Sequence, residues 1–208
     1  MKPRDAIRDA LQTYVAPRLE RLEFSFAPSS LSFLRRRGHF TQRIETQLDQ
    51  WNAEDVSASF GVRFTVRSGY YSKWHEEQFG AKPANDYVAS ENYWNLRGWK
   101  HAKPQVAHPE GVELEMLQLM EDILDTGLPF LDRYSNWERS ARRIVAASHS
   151  WLRACDFYMI ANNRDAAYEV LQKALIRSRE QPRGFGRGET GDLEIRFQKF
   201  FGEHVTFD

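Results

Sequence analysis

Two stretches of strict alternation constrain this chain more than any motif in it. Phe40, Gln42, Ile44, Thr46 and Leu48 share one parity, and Thr41, Arg43, Glu45, Gln47 and Asp49 share the other. Further on, Val56, Ala58, Phe60, Val62, Phe64 and Val66 alternate with Ser57, Ser59, Gly61, Arg63, Thr65 and Arg67. Successive strand side chains point to opposite faces, so each stretch predicts a strand with one buried and one wetted side. Such strands belong to an antiparallel sheet covered by a single layer.

Gly38 reads as the turn of a hairpin between residues 31–37 and 39–49, and the loop at 50–55 returns the chain into the second alternating strand. Asn92–Leu96 is aromatic enough for a fourth strand. Before the sheet, Ile7, Leu11, Tyr14 and Val15 keep helical spacing until Pro17, which implies a kink or a fresh start. After Gly69, a charged segment with Tyr70, Tyr71, Trp74 and Phe79 reads as a short helix stopped near Gly80 and Pro83. From Gly111 the period is helical, with Val112, Met116, Leu117, Met120, Ile123 and Leu124 forming one stripe. Gly127 and Pro129 end that helix, and another runs from about Leu128 through Trp137 to Val145. Residues 147–181 read as a helical hairpin broken at Asn162-Asn163-Arg164-Asp165, and Gly184 to Gly191 as a link to a last amphipathic helix. Strands first and helices afterwards give an α+β class. The expected architecture is an antiparallel β-meander of about four strands packed against helices, with a C-terminal helical hairpin. The expected domains are 1–146 and a helical extension, 147–208, packed on it.

A chain of 208 residues with 41% apolar content holds a substantial core. Its 29 basic and 29 acidic side chains balance, so no overall charge draws it to nucleic acid or an anionic membrane. Cys155 is the single cysteine, which rules out an internal disulfide and reads as a small buried hydrophobe. Without an apolar run of membrane length, the expectation is a cytoplasmic protein.

The chemical motifs are weak. His75-Glu76-Glu77-Gln78-Phe79 lacks the second histidine that a zinc-binding helix needs. His101 and His108 share a loop without a carboxylate at ligand spacing beside both, so no metal site is expected. Gly186-Arg187-Gly188-Glu189-Thr190-Gly191 fits a dinucleotide pattern in letters, but it comes after a helical hairpin and reads as a linker. The carboxylate pairs Glu113/Glu115 and Glu121/Asp122 fall on the wet side of their helix. No nucleophile elbow is present. No catalytic residue and no cofactor are therefore assigned.

The residue order Val15-Ala16-Pro17-Arg18-Leu19-Glu20-Arg21-Leu22-Glu23-Phe24, then Phe33-Leu34-Arg35-Arg36-Arg37-Gly38-His39-Phe40-Thr41-Gln42-Arg43, then Phe60-Gly61-Val62, resembles the bacterial family catalogued as domain of unknown function 4304. The likeness covers about residues 5–145. It departs where Leu22-Glu23-Phe24 lacks a glycine before the phenylalanine and where the C-terminal residues extend the domain. It implies an α+β fold with an antiparallel sheet and carries no catalytic set.

The expected function is non-enzymatic: binding another macromolecule, a protein in the first instance, with an immunity or antitoxin-like inhibitor as its specific form. The expected binding patch joins Arg43, Arg63 and Arg67 to Tyr70, Tyr71, Trp74 and His75, since arginine and aromatic residues dominate binding hot spots. Two alternatives stand beside it. One is a small-ligand site or enzyme around His75, with Glu76 and Arg63. The other is nucleic-acid binding through Arg35-Arg36-Arg37, a run that edge protection or solvation also explains. Membrane is not expected as a partner, and nucleic acid is not favoured.

Overall fold

The computed structural model describes residues 1–147, 150–180 and 187–204, without the side chains of 187–190. The chain divides into two compact units, Met1–Ser135 and Asn136–Asp208. The division falls before residue 146, so the helix Trp137–Ala146 groups with the later helices.

The first unit is built on five antiparallel strands in sequential order: β1 (Ser25–Ala27), β2 (Ser32–Arg37), β3 (Phe40–Leu48), β4 (Phe60–Arg67) and β5 (Tyr87–Asn92). The α+β class and the meander agree with the alternation. Phe33 pairs with Ile44, which pairs with Phe64. With Phe60, Val62 and Val66 they form the apolar face, none of them more than 2% exposed. Burying each such side chain contributes about 1.5–3 kcal/mol relative to leaving it in water. Gly38 makes the tight β2–β3 turn at φ +56°, in the left-handed region that glycine enters without a Cβ clash.

Three details differ from the sequence reading. β1 is an additional strand of three residues, too short for alternation to register. The apolar parity reaches back to Val56, yet β4 begins at Phe60 and Val56 is 68% exposed. There the Asn52 side chain bonds both the N–H (2.7 Å) and the C=O (2.8 Å) of Ser59, closing a compact loop in place of further pairing. The last strand is Tyr87–Asn92 rather than 92–96, and the aromatic Tyr93–Asn95 forms a 3₁₀ turn.

The helices correct the reading of the prolines. Helix α1 runs over residues 3–20 without a break: an α segment, a π turn at Leu11–Val15, then Ala16–Glu20. Helix α2 is Gly69–Phe79, opened by the Ser68 hydroxyl, which accepts from the Tyr71 N–H, and closed by Gly80 at φ +74°. Helix α3 runs over residues 112–134 with a π turn at Ile123–Gly127. Pro17 and Pro129 each stand two residues beyond a π turn. The residues before them, Ala16 and Leu128, donate to Leu11 and Ile123, five positions back. That widened turn carries the carbonyl a proline ring would strike, so neither proline ends its helix. The extra residue also rotates the remainder of the helix about its axis. Met116, Leu119, Met120 and Ile123 face the core, while Leu117 and Leu124, expected in the buried stripe, are 37% and 45% exposed. At Gly127 the helix lies so close to β4 that a Cβ would run into the Phe64 ring.

The second unit contains α4 (Trp137–Ala146), α5 (Trp151–Ile160), α6 (Arg164–Glu180) and α7 (Arg187–Phe201). The hairpin break at Asn162 falls where the sequence places it. Asn163 caps α6 by accepting from the Ala166 N–H at 3.2 Å. Ala154, Cys155, Phe157, Ala167, Leu171, Ala174 and Leu193 are fully buried. Among them lies a bidentate pair, with Arg196 Nε and Nη2 donating to the two Asp156 oxygens at 2.8 and 2.9 Å. Of the expected link, Gly184 to Gly186 lie outside the described residues, and Arg187–Gly191 form the first turns of α7 instead. No helix among the described residues is long and apolar enough to cross a membrane.

Candidate binding face

The parity that buries Phe33, Ile44 and Phe64 presents the intervening residues on the opposite side of the sheet. Arg43 pairs with Thr65, Glu45 with Arg63, and Thr41 with Arg67, which pairs in turn with Tyr87. Arg43, Arg63 and Arg67 therefore stand on one face, on two adjacent strands, with Arg63 and Arg67 flanking Thr65. The side chains of Arg43, Glu45 and Arg67 are 22%, 23% and 32% exposed, a partly wetted layer.

Each arginine is held in place. Arg43 lies 3.3 Å from Glu45 and donates to the Ser32 hydroxyl. Arg63 donates to Asn92 at 3.1 Å. Gln47, with its amide oxygen turned toward Arg63, accepts from Arg63 Nη2 at 2.8 Å and donates to Asn92. Arg67 lies over the Tyr87 ring at 4.3 Å, donates to its hydroxyl at 2.5 Å, and has Asp86 at 3.8 Å. Stacking and forked bonding preorganise a guanidinium at little further entropic cost. Arg43 Nε and Arg67 Nε are buried donors without a hydrogen-bond acceptor among the described residues. Beyond Arg63, the Tyr93 ring closes over Gly61, where a Cβ would meet it at 2.8 Å. With Arg36 on the same parity, four guanidinium groups stand beside the carboxylates of Glu45 and Asp86, and Asp49, at the end of the same parity, pairs with Lys103.

The other expected patch residues lie on α2. Tyr71 is 2% exposed and belongs to the core. Tyr70 is 41% exposed and stacks on His39 at 4.4 Å. Trp74 meets Phe79 edge-on at 6.1 Å. His75 Nδ1 lies 2.7 Å from the Ala81 carbonyl, and its ring leans on Phe79. His75 thus fastens the chain beyond its own helix, while Glu76 pairs with Lys82 and Arg63 bonds across the sheet. The three residues of the small-ligand alternative engage separate partners.

The run Arg35-Arg36-Arg37 splits by parity. Arg35 shares the core parity of Phe33 and is only 5% exposed, so it is neither edge protection nor solvated charge. It donates to Gln42 (2.7 Å), to the Leu22 carbonyl (3.2 Å) and to Asp132 (2.6 Å), and it covers the Phe24 ring. Burial lowers its pKa against the opposing pull of Asp132. Arg37 pairs with Glu23 at 3.2 Å, and Arg36 is exposed.

Asp122 is a further correction. It is fully buried rather than on the wet side of its helix, and His101 Nδ1 lies 2.8 Å from its carboxylate. The two residues are far apart in sequence, one in a loop and one in a helix, and no spacing rule joins them. Among the described residues, no three His, Cys, Asp or Glu side chains are grouped to hold a metal ion. Compared with known protein families, curated proteins and solved structures, the chain matches none.

Proposed function

We propose that this is a binding protein whose sheet face, carrying Arg43, Arg63 and Arg67, docks an acidic segment of another protein. The observation that supports this most is the placement of three braced arginines on one partly exposed face whose cations outnumber its carboxylates. Planar guanidinium groups suit carboxylates bidentately, and fixed ones lose less freedom on binding than free lysines. Glu45 in the middle of the face and the balanced overall charge favour discrete carboxylates over a polyphosphate backbone. An immunity or antitoxin-like role in the cytoplasm is the narrower form of this reading, with a toxin's acidic surface as the occupant.

The test uses a fluorescent glutamate-rich peptide and its anisotropy. The wild-type protein is expected to bind it with an affinity that falls as salt rises. Replacing Arg43, Arg63 and Arg67 together by Gln should weaken binding at least about tenfold, since charged pairs at interfaces contribute on the order of 1.5 kcal/mol or more each. Equal binding by wild type and the triple variant would refute the reading. Tighter binding of a single-stranded oligonucleotide than of the peptide would replace the protein partner with nucleic acid.

A further inference from the structure

His101 and Asp122 make a second arrangement, independent of the arginine face. The Asp122 carboxylate is buried at the last turn before the π turn of α3, yet donors serve both of its oxygens. Oδ1 accepts from the Lys100 N–H at 3.0 Å, and Oδ2 accepts from the His101 N–H at 2.9 Å and faces His101 Nδ1 at 2.8 Å. Both carboxylate oxygens are thereby engaged as acceptors, as a buried polar group requires. With the carboxylate accepting, Nδ1 is the donor of this contact, and in the neutral form of such a ring the lone pair lies on Nε2. Nε2 has no hydrogen-bond partner among the described residues, and the His101 side chain is 26% exposed.

The backbone around the ring is fixed from several sides. Trp99 Nε1–H donates to the His101 carbonyl at 2.9 Å, and the Lys100 ammonium is held by Glu121 and Asp125 at 2.9 and 3.0 Å. The Thr126 hydroxyl donates to the Asp122 carbonyl at 2.7 Å. Among the described histidines, His101 alone has a carboxylate at its ring; His75 meets a carbonyl and His39 an aromatic ring. An oriented basic nitrogen needs a fixed position and access to solvent, and the Asp122 contact and the 26% exposure of the side chain supply both. Three carboxylates against one ammonium disfavour an anionic substrate and admit a neutral one.

We propose that His101 Nε2 is a nucleophilic acyl acceptor for neutral esters, with Asp122 as its positioning residue. The Nε2 lone pair forms a bond to the acyl carbon, and the C–O bond to the leaving group breaks with its electron pair. Water then cleaves the N–acyl bond of the acylimidazolium; its oxygen joins the acyl carbon, one proton passes to the departed alkoxide or to solvent, and the carboxylic acid and the neutral imidazole are released.

The probe is p-nitrophenyl acetate, with release of p-nitrophenolate monitored by absorbance. His101→Gln is expected to remove most of the release above solvent, and Asp122→Asn to lower it by about tenfold or more, since a misassigned tautomer disables an oriented imidazole. Nitrogen-15 spectra of the wild-type imidazoles should show His101 protonated on Nδ1 when neutral, and Asp122→Asn should shift it toward Nε2–H. A release rate unchanged by His101→Gln, or a wild-type His101 ring protonated on Nε2, overturns the proposal. Should Asp122→Asn fail to fold, the His101→Gln rate and the wild-type tautomer decide the matter alone.

Discussion

The two faces of the sheet are drawn from alternate residues of the same strands, and they treat arginine in opposite ways. On the core face Arg35 is 5% exposed, and its donors are divided among Gln42, Leu22 and Asp132. On the other face Arg43, Arg63 and Arg67 are braced by neighbours but keep contact with water. A buried charge survives only where partners repay its desolvation, so Arg35 has a structural role. The partly exposed guanidinium groups remain available to a carboxylate from outside. A one-residue shift in parity therefore separates a buried structural arginine from a partly exposed one.

Stability measurements can break that comparison, starting from the apolar face. Phe64→Ala should lose about 3–5 kcal/mol, because it removes a fully buried ring at the centre of the sheet. A urea midpoint near wild type would mean that the apolar face is not the core. Arg35→Ala should cost about 2 kcal/mol through the acceptors it leaves in Gln42 and Leu22. A loss as small as that of an exposed arginine would erase the contrast between the faces. Gly127→Ala forces a methyl against the Phe64 ring and should cost about 1–3 kcal/mol, with Phe64→Leu in the same chain relieving part of it. At the small end, Arg43→Gln should alter stability by no more than about 0.5 kcal/mol while weakening peptide binding.

The same parity decides what is legible from sequence. The meander is readable because a period of two survives wherever one face is buried, and Phe60 to Val66 keep it without a fault. The arginine trio is readable for the same reason, since Arg43, Arg63 and Arg67 all stand opposite the apolar positions. Arg35 is easily misread as part of a charged run, although it shares the parity of Phe33 and pairs with Gln42, a polar residue on the apolar parity. Leu124 is misplaced when the stripe is drawn past the start of a π turn, beyond which a period of 3.6 no longer holds, whereas Leu117 stands in the regular helix beside Met116 and Met120 and is still 37% exposed. Tyr71 and Trp74 look like companions of the arginines because they come soon after Arg67. A capped helix begins at Gly69 and carries Tyr71 into the core. Asp122 and His101 meet only through tertiary packing.

The most direct test is a titration of the isotopically labelled protein with a glutamate-rich peptide, monitored through backbone amide shifts. Perturbations concentrated at residues 41–47, 63–67 and 86–92 are the predicted result, weakening together as salt is raised. Perturbations confined to α2, or spread evenly over the second unit, would contradict the assignment of the sheet face as the binding surface.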